Sequence, residues 1–412
     1  MPQTYYELYF PAEAVFDFCT LHHSERPENR EIAVTSANGI WRRYNSVRNA
    51  TELRKLAIRS GVGATLHLGP AYSDAAHRAR TPGVKAVGKQ LPFDLDLTDI
   101  AFLNVPKSDQ DSNDRFVRLI FGQVYVLRAI LKEVFGFEHF LPVYSGRRGV
   151  HLWVLDKRAH TLTNDARSAI CQMINPPLKK HDSRLFYRQA IESHPSFSGV
   201  EVAAAIEAVR TQIVTASYKN GGIGLLDTKL RIDLFLDKLF LCTDDNPSNW
   251  RSHEVACERR IRSAMSAVRG VEAFHTLETT ITSELQPTTT PTTIVYKKLW
   301  EKYNDIIFSL IWPTIDVGPS AQMNHCVKLP FSTHASTNRI SLPISQLLPD
   351  GATSLPPIVT EASLTGVDGA FNATFLKSVA FMRSAIAFAR PSSSIGDIED
   401  LAGRQAKSPR HA

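Results

Sequence analysis

Polar groups that bind phosphate are concentrated in one short segment of the chain. The segment LPVYSGRRGVHLWVLD, residues 141–156, places Ser145, Arg147, Arg148 and His151 in and just after a glycine-bounded break. The guanidinium fork of arginine matches phosphate oxygens, and glycine lets backbone N–H groups approach an anion closely. The β-branched and aromatic residues on both sides of the break predict a β-hairpin. The sequence therefore predicts a phosphate-binding turn between two strands.

A second segment carries paired carboxylates. In FDLDLTD, residues 93–99, Asp94 and Asp96 alternate with apolar residues, so they share one face of a strand. Such a pair repels itself unless it is solvated or a cation neutralises it, and Mg²⁺ prefers oxygen ligands of this kind. Taken alone, the pair fits a solvated polar face of an edge strand better than a metal site. Asp99 is predicted to be a loop or cap residue.

A third group of polar residues lies far downstream. Asp316 ends the apolar run LIWPTIDV, and the segment NHCVKLPFSTH, residues 324–334, contributes His325, Lys328 and His334. Lysine is a compact point charge that suits a phosphate. Each of these residues alone fits a structural role, so their interpretation depends on the two segments upstream.

The composition is that of an ordinary globular protein. The 412 residues are 43% hydrophobic and 21% charged, and the net charge of +6 is compatible with a polyanionic partner. No apolar run approaches the roughly 20 residues of a membrane span, so we expect no membrane partner. The five cysteines stand far apart, which argues against a sequence-local zinc or iron–sulfur site and favours a reducing compartment.

Apolar spacing predicts the elements that must position these groups. Strands are predicted over residues 41–44, 64–72 and 90–97. Helices are predicted over residues 51–59, 115–134 and 371–389, with Thr51 as a cap of the first. A polar loop is predicted over residues 104–114.

This pattern predicts an α+β fold class, with a core of mixed or antiparallel β-sheet and flanking helices. The core would comprise residues 1–159 and 294–390, interrupted by an α-helical insertion over residues 160–293 that ends in the Pro/Thr-rich linker QPTTTPTT. Residues 391–412 would form a disordered tail. The arginine-rich stretch 251–269 fits a contact with a partner or DNA, and fits a solvated helix face at least as well.

The three polar segments, in this order, resemble the small catalytic subunit of the archaeo-eukaryotic DNA primase. FDLDLTD is similar to the first motif of that family, and VYSGRRGVHLWV to its second motif in the eukaryotic version. WPTIDVGPSAQMNHCVKLPFSTHASTNRISLPI resembles its third motif and the basic segment that follows. The resemblance covers most of the chain outside the predicted insertion and tail, and implies a primase-type catalytic core.

The resemblance also implies a role for each candidate residue. Two Mg²⁺ or Mn²⁺ ions would be bound by Asp94, Asp96 and Asp316. The incoming triphosphate would be bound by Ser145, Arg148, His151, Lys328 and His334. Further members of the nucleotide-binding group are Arg43 in the context IWRRY, His325 near the ribose or base, and Arg147, whose role the resemblance does not fix.

Two departures from the family pattern bear on these expectations. Eukaryotic members usually carry four zinc-binding cysteines between the first and second motifs, whereas residues 100–134 contain none, so no zinc knuckle is predicted. The family also tends to have an aspartate near the ribose in a context such as L-x-L-G-x-x-Y. His67 takes that position, which leaves discrimination between ribonucleotides and deoxyribonucleotides open.

The implied function is synthesis of short RNA primers on single-stranded DNA for replication, a DNA-directed RNA polymerase activity with ribonucleoside triphosphates as substrates. The implied partners are a large primase subunit with an iron–sulfur cluster and the DNA polymerase alpha complex, and the implied location is the nucleus. One alternative is a primase-polymerase that uses deoxynucleotides in damage tolerance, although such relatives often have D-x-E in the first motif. Another is a non-catalytic nucleic-acid-binding subunit, which the presence of all three aspartates argues against.

Overall fold

Strands and helices alternate in the first part of the chain and helices dominate its middle. The computed structural model describes residues 5–36, 38–100, 110–175, 195–215, 224–240, 251–285, 290–347, 359–360 and 369–390. The strands are β1 (Arg30–Thr35), β2 (Trp41–Asn45), β3 (Thr65–Tyr72), β4 (Ala86–Gly88), β5 (Leu91–Asp96), β6 (Phe140–Tyr144), β7 (Gly149–Val154), β8 (Val327–Lys328) and β9 (Leu342–Pro343).

The α-helices fall on both sides of these strands in the sequence. They are α1 (Tyr5–Leu8), α2 (Ala12–Cys19), α3 (Ala50–Arg59), α4 (Gln110–Glu133), α5 (Lys157–His160), α6 (Asn164–Ile174), α7 (Val200–Thr215), α8 (Lys229–Phe240), α9 (Arg251–Met265), α10 (Val271–Thr282), α11 (Pro291–Ile311), α12 (Val317–Ala321) and α13 (Gly369–Ala389). Short 3₁₀ turns cover Pro27–Asn29, Ala76–Arg78, Leu97–Asp99 and Pro195–Phe197.

Two antiparallel sheets are formed by these strands. The first has the order β2–β1–β3–β4, with β8 also paired to β3, and the second has the order β5–β7–β6–β9. An apolar layer shared by both sheets joins them, and helices α1, α2, α3 and α13 contribute to it. Its members from the two sheets include Ile32, Val34, Leu66, Leu68, Leu141, Val143 and Trp153.

The opposite face of the second sheet is covered by helices. Phe93, Leu95, Val150 and Leu152 point into a second apolar layer, because alternate residues of a strand face opposite ways. The long helix α4 packs its apolar stripe into this layer, and helices α6 to α11 contribute to the same layer. The alternation in FDLDLTD therefore leaves the two carboxylates of β5 on the other face, toward the first sheet.

The segment that contains β8 and β9 connects the two sheets. Lys328 of β8 pairs with His67 of the first sheet, and Leu342 of β9 pairs with Tyr144 of the second. In between, the Thr337 hydroxyl donates to the carbonyl of Gly146 at 3.0 Å, which fixes the segment to the β6–β7 turn. Residues of the first, second and third motifs are thus brought to one edge of the structure.

Fully buried arginines fix the chain just before β5. Arg30 donates to the carbonyls of Cys19 at 2.7 Å and Gly88 at 3.3 Å. Arg167 donates to the carbonyls of Leu162 at 3.0 Å and Gln90 at 3.3 Å. Burial lowers the pKa of each guanidinium to about 10, so both stay charged at neutral pH. Charge-assisted hydrogen bonds of this kind set the position from which β5 begins.

The α+β class, the hairpin and the main predicted elements are confirmed by this architecture. The predicted strands correspond to β2, β3 and β5, and the predicted helices to α3, α4 and α13. No described helix has the length and apolar character needed to cross a membrane. The division into a core and a 160–293 insertion remains a prediction, and the predicted tail, 391–412, lies outside the described residues.

Three local predictions were wrong. The cap of α3 is Asn49, whose side chain accepts from the Glu52 amide, because the helix begins one residue earlier than Thr51 suggests. Residues 110–114 of the predicted polar loop open α4, and the rest of that loop lies outside the described residues. Thr290 caps α11, and residues 291–293 of the predicted linker form its first turn, where proline is tolerated.

Gly149 provides a test of how closely β5 and β7 must approach. A Cβ atom at this position would lie 2.6 Å from the carbonyl oxygen of Leu95, so Gly149→Ala forces the strands apart beside Asp96. We expect a loss of about 1–3 kcal/mol in the free energy of unfolding, measured by urea denaturation. An unchanged midpoint would show that the strands can separate without cost.

Candidate active site

The three candidate carboxylates come together at the end of the second sheet. Asp94 lies opposite His151 in the β5–β7 register, and Asp96 lies opposite Gly149. Asp316 joins them because its backbone N–H donates to the Asp94 carbonyl at 2.9 Å, in an isolated antiparallel bridge. The backbone, rather than any attraction between the side chains, therefore holds the carboxylates together.

Two of these carboxylates have one oxygen fixed and one available. Asp96 Oδ1 accepts from the Thr98 amide at 2.9 Å and from the Thr98 hydroxyl at 2.8 Å. Asp316 Oδ1 caps helix α12 by accepting from the Gly318 amide at 3.0 Å. Within the described residues, Oδ2 of neither carboxylate accepts a hydrogen bond. These oxygens are thus oriented and still able to bind a cation.

The arrangement of the three carboxylates makes Asp94 harder to ionise. Burial, followed by repulsion from Asp96 and Asp316, raises the pKa of the Asp94 carboxyl to about 7. The Asp94 side chain is 31% exposed to solvent, so a cation can reach it from solution. Asp99 is electrostatically coupled to these three carboxylates. Burial, followed by repulsion from Asp96, Asp94 and Asp316, raises its pKa to about 6. The sequence analysis assigned Asp99 to a loop or cap, and only the fold reveals this coupling.

The donor set fits a hard divalent cation that shares its ligands with a substrate. All available donors are carboxylate oxygens, and a cation would relieve their mutual repulsion. In the part of the chain that the structure describes, no three His, Cys, Asp or Glu side chains stand ready to enclose a metal ion by themselves. Mg²⁺ ordinarily binds through one or two carboxylates plus water and substrate phosphates, which is compatible with this open arrangement.

Hydrogen-bond donors lie beside the carboxylates on the β6–β7 turn. The turn is closed by the Ser145 amide, which donates to the Gly149 carbonyl at 2.9 Å, and by the Gly149 amide, which donates to Ser145 Oγ at 3.1 Å. Gly146 adopts a φ of 89°, a conformation that favours glycine. Arg148 Nε lies 3.4 Å from Asp96 Oδ1, which links the turn to the carboxylates.

Two buried nitrogen atoms near this turn lack a partner in the part of the chain that the structure describes. Arg148 Nη1 and His151 Nδ1 make no hydrogen bond there. A buried polar group without a partner costs free energy, so such groups mark places where a ligand or water completes the site. Both residues were predicted to bind the triphosphate. A phosphate oxygen would accept from Arg148 Nη1, and from His151 Nδ1 in the tautomer that carries its proton there.

Lys328 adds a buried ammonium group to the same place. It lies on β8, and its Nζ donates to the carbonyl of Ser145. Burial lowers the pKa of Lys328 to about 8, while Asp94 and Asp96 act in the opposite direction and favour its charged form. The lysine is therefore close to both the predicted phosphate-binding turn and the predicted metal ligands.

The histidines of the site are uncharged at neutral pH. Burial and the charge of Lys328 lower the pKa of His151 and that of His334 to about 3. His334 lies against the β6–β7 turn, since a Cβ atom built at Gly146 would be 3.3 Å from its own Cβ. Neutral imidazoles can each offer one N–H to a phosphate without adding further positive charge.

Arg43 and His325 lie on the side of the site that belongs to the first sheet. Arg43 forms a bidentate pair with the buried Glu31 at 2.8 and 2.9 Å, and donates to the Asn324 carbonyl at 2.9 Å. Partial burial of the His325 ring and the charge of Lys89 lower its pKa, and Asp316 and Asp94 act in the opposite direction. Arg43 therefore helps to place the segment that carries His325.

His67 also faces the site. It pairs with Lys328 across β3 and β8, and its Nε2 lies 3.1 Å from the Thr35 hydroxyl. The ring of Trp41 packs edge-on at 4.7 Å between centroids. Burial and the nearby charge of Lys328 lower the pKa of His67 to about 3, so it is a neutral imidazole at the position where an aspartate was expected.

Lys89 is a positioning residue that the sequence analysis missed. Its side chain is fully buried, and Nζ donates to three carbonyls of the segment after Asp316: Pro319 at 3.2 Å, Gln322 at 3.1 Å and His325 at 2.8 Å. Burial lowers the pKa of Lys89 well below its ordinary value. No motif signals this role, because the three acceptors are backbone atoms distant in sequence.

Comparison with known proteins places the chain in a family. The family model described as DNA primase small subunit matches residues 93–345. A DNA primase small subunit of Saccharomyces cerevisiae is 25% identical over 376 residues, covering 87% of this chain and 84% of that protein. Those of Schizosaccharomyces pombe and Drosophila melanogaster are 28% and 25% identical, covering 82% and 84% of this chain, and 71% and 76% of their own lengths.

Carboxylates that lie beside buried groups able to donate hydrogen bonds to phosphate suit an enzyme of the nucleotidyltransferase kind. The chain belongs to the DNA primase small subunit family. This membership assigns it to DNA priming in replication, and implies that it works within a DNA-binding primase complex.

Removing one charge at Asp94 tests the electrostatic account. Because the pKa is raised above its unfolded value near 4, ionisation of Asp94 destabilises the fold increasingly from pH 4 to about 7, and fully above that. Asp94→Asn should therefore raise the free energy of unfolding by about 1–2 kcal/mol at pH 8 in chelator, with the gain vanishing below pH 4. Asp233→Asn on α8 is the control and should change little. A destabilised Asp94→Asn at pH 8 would contradict the account.

Lys89→Met tests whether the lysine positions the segment after Asp316. The substitution leaves three carbonyl acceptors without their donor, so we expect a loss of about 2–4 kcal/mol in the free energy of unfolding. Amide hydrogen exchange should show faster exchange in residues 317–328 than elsewhere. Stability and exchange equal to wild type would show that water replaces the ammonium group without cost.

Proposed function

We propose that this chain synthesises short RNA primers on single-stranded DNA, using ribonucleoside triphosphates and two Mg²⁺ or Mn²⁺ ions. The observation that carries the proposal is the position of Asp94, Asp96 and Asp316 beside buried nitrogen atoms of Arg148 and His151 that make no hydrogen bond within the described residues. Transfer of a nucleotidyl group from a triphosphate requires carboxylates that hold metal ions, next to groups that bind the phosphates.

In this mechanism the protein orients the reactants and stabilises charge. Two divalent ions held by Asp94, Asp96 and Asp316 would lower the pKa of the attacking 3′-hydroxyl and neutralise charge on the leaving pyrophosphate. The phosphate oxygens would accept hydrogen bonds from the residues predicted from the resemblance: Ser145, Arg147, Arg148, His151, Lys328 and His334. No protein nucleophile is needed. Preorganised donors of this kind lower the barrier because they need not reorient during the reaction.

The proposal extends to partners and location. A large primase subunit with an iron–sulfur cluster and the DNA polymerase alpha complex would work with this chain, and the nucleus would be its location. The support is the resemblance of the second motif to its eukaryotic version, together with relatives from yeasts and an insect.

A second candidate function rests on His67. An imidazole stands where the family tends to have a carboxylate near the ribose, directly across from Lys328. A neutral imidazole selects a ribose hydroxyl less strongly than a carboxylate acceptor, because its hydrogen bond lacks charge assistance. This observation favours acceptance of deoxynucleotides alongside ribonucleotides, as in a primase-polymerase.

The test is de novo synthesis on a single-stranded DNA template, with labelled ribonucleotides or deoxyribonucleotides and either metal. Wild type and Asp94→Ala/Asp96→Ala are compared, alone and with the large subunit. Short RNA products that the double variant does not make would establish the primase reaction, and a preference for deoxynucleotides would establish the second candidate. No product from wild type in any arm would refute both.

Lys328 provides a pH-dependent test of triphosphate binding. Because burial lowers its pKa to about 8, the free site loses the ammonium charge as the pH rises above that value. We expect the dissociation constant of a non-hydrolysable ribonucleoside triphosphate to rise about tenfold between pH 7 and pH 9. Lys328→Arg stays charged in this range and should show little change. An equal fall in affinity in both proteins would assign the effect to another group.

A further inference from the structure

A concave, positively charged surface lies between β2 and α3, outside the group of candidate catalytic and nucleotide-binding residues. It is a pocket of about 560 Å³ between β2 and α3, here called the β2–α3 pocket. Its lining includes Asn45, Ser46, Arg48, Lys55, Arg59 and His77. The polar, open lining favours a solvated, charged ligand over an apolar one.

Two of its cations form no ion pair within the described residues. The single acidic residue of the lining, Glu52, is engaged by Arg48, which contacts it at 2.6 Å and 3.0 Å. Lys55 and Arg59 are exposed, and neither has a carboxylate partner within the described residues. They lie one helical turn apart on α3, with about 6 Å between their Cβ atoms, and can therefore face successive anionic groups.

The arginine-rich helix α9 shows the opposite pattern. Arg260 pairs with Glu284 at 2.7 Å, and Arg262 pairs with Asp237 at 2.7 Å and with Glu258 at 2.8 Å. The charges of Arg260 and Arg262 are therefore neutralised by the protein itself. The β2–α3 pocket is the better candidate for an anionic partner, because its charge is left for a ligand.

The pocket begins next to a residue that contacts the candidate active site. Arg43, which donates to the Asn324 carbonyl at the site, is followed in β2 by Tyr44, which lines the pocket. The guanidinium groups of Arg43 and Arg80 lie 4.8 Å and 5.1 Å from the centre of the Tyr44 ring. Tyr44 has a φ of 63°, an uncommon conformation for a non-glycine residue, which redirects the chain at this point.

We infer that the β2–α3 pocket binds the phosphate backbone of the nucleic-acid strand that enters the active site, through Lys55 and Arg59. This inference rests on the proposed function for the direction of the strand, and on the unneutralised charge of the pocket for the binding itself. The strand is either the single-stranded template or the primer paired to it, since both present the same phosphates.

The experiment measures binding of the full-length chain to labelled oligonucleotides by fluorescence anisotropy, without nucleotide or divalent metal. One arm uses single-stranded DNA, and the other uses an RNA primer annealed to a DNA template. The variant is Lys55→Glu/Arg59→Glu. The control is Lys238→Glu/Arg259→Glu, which makes the same change in net charge on exposed residues of α8 and α9. Thermal unfolding verifies that both variants fold.

The pocket variant should bind about tenfold more weakly at low salt, and the control should stay within about twofold of wild type. Loss of two phosphate contacts should reduce the slope of log affinity against log salt by about 1.4.

Loss of binding in the single-strand arm identifies the template, and loss confined to the primer arm identifies the primer. Equal binding of pocket variant and wild type in both arms, or equal loss in the control, would overturn the inference. Should the pocket variant not fold, Lys55→Ala/Arg59→Ala takes its place, with half the charge change.

The binding result is separable from the proposed function. A chain that binds nucleic acid through this pocket and makes no primer would refute the proposed reaction and leave the pocket intact. A chain that makes primers and binds DNA equally well with and without Lys55 and Arg59 would refute the pocket alone.

Discussion

The repulsion among closely held carboxylates is the constraint on which the rest of this structure depends. Asp94 and Asp96 share one face of β5, and a backbone hydrogen bond from Asp316 brings the third carboxylate beside them. Burial, followed by this repulsion, raises the pKa of Asp94 to about 7. An arrangement that stores repulsion persists only where rigid surroundings impose it. A bound cation would remove this repulsion, and its removal would contribute to the free energy of cation binding.

The rigid surroundings are built from buried cations that pair with backbone carbonyls rather than with carboxylates. Arg30 and Arg167 fix the chain before β5, and Lys89 fixes the segment after Asp316. Carbonyl acceptors satisfy these three buried cations, so they do not occupy the oxygens of the site carboxylates. Had they been paired with the site carboxylates instead, their charge would have competed with a metal for the same oxygens.

The elements and candidate residues could be predicted from the sequence because their signals are local. Alternation in FDLDLTD defines the exposed face of β5, and the glycine-bounded arginines define the β6–β7 turn. The supporting groups could not be predicted in this way. Lys89 contacts carbonyls more than 200 residues away, as in its bond to His325, and the partner of Arg43 is Glu31 on a neighbouring strand. Such contacts depend on tertiary register, which apolar periodicity does not encode.

If the three carboxylates and the triphosphate together bind metal, the number of bound ions depends on these carboxylates. Bound Mn²⁺ ions per chain can be counted by electron paramagnetic resonance, with a non-hydrolysable ribonucleoside triphosphate present. We expect two ions per wild-type chain in excess of those bound by the free nucleotide, and none in Asp94→Ala/Asp96→Ala. Equal ion counts in wild type and variant would show that these carboxylates do not bind the ions.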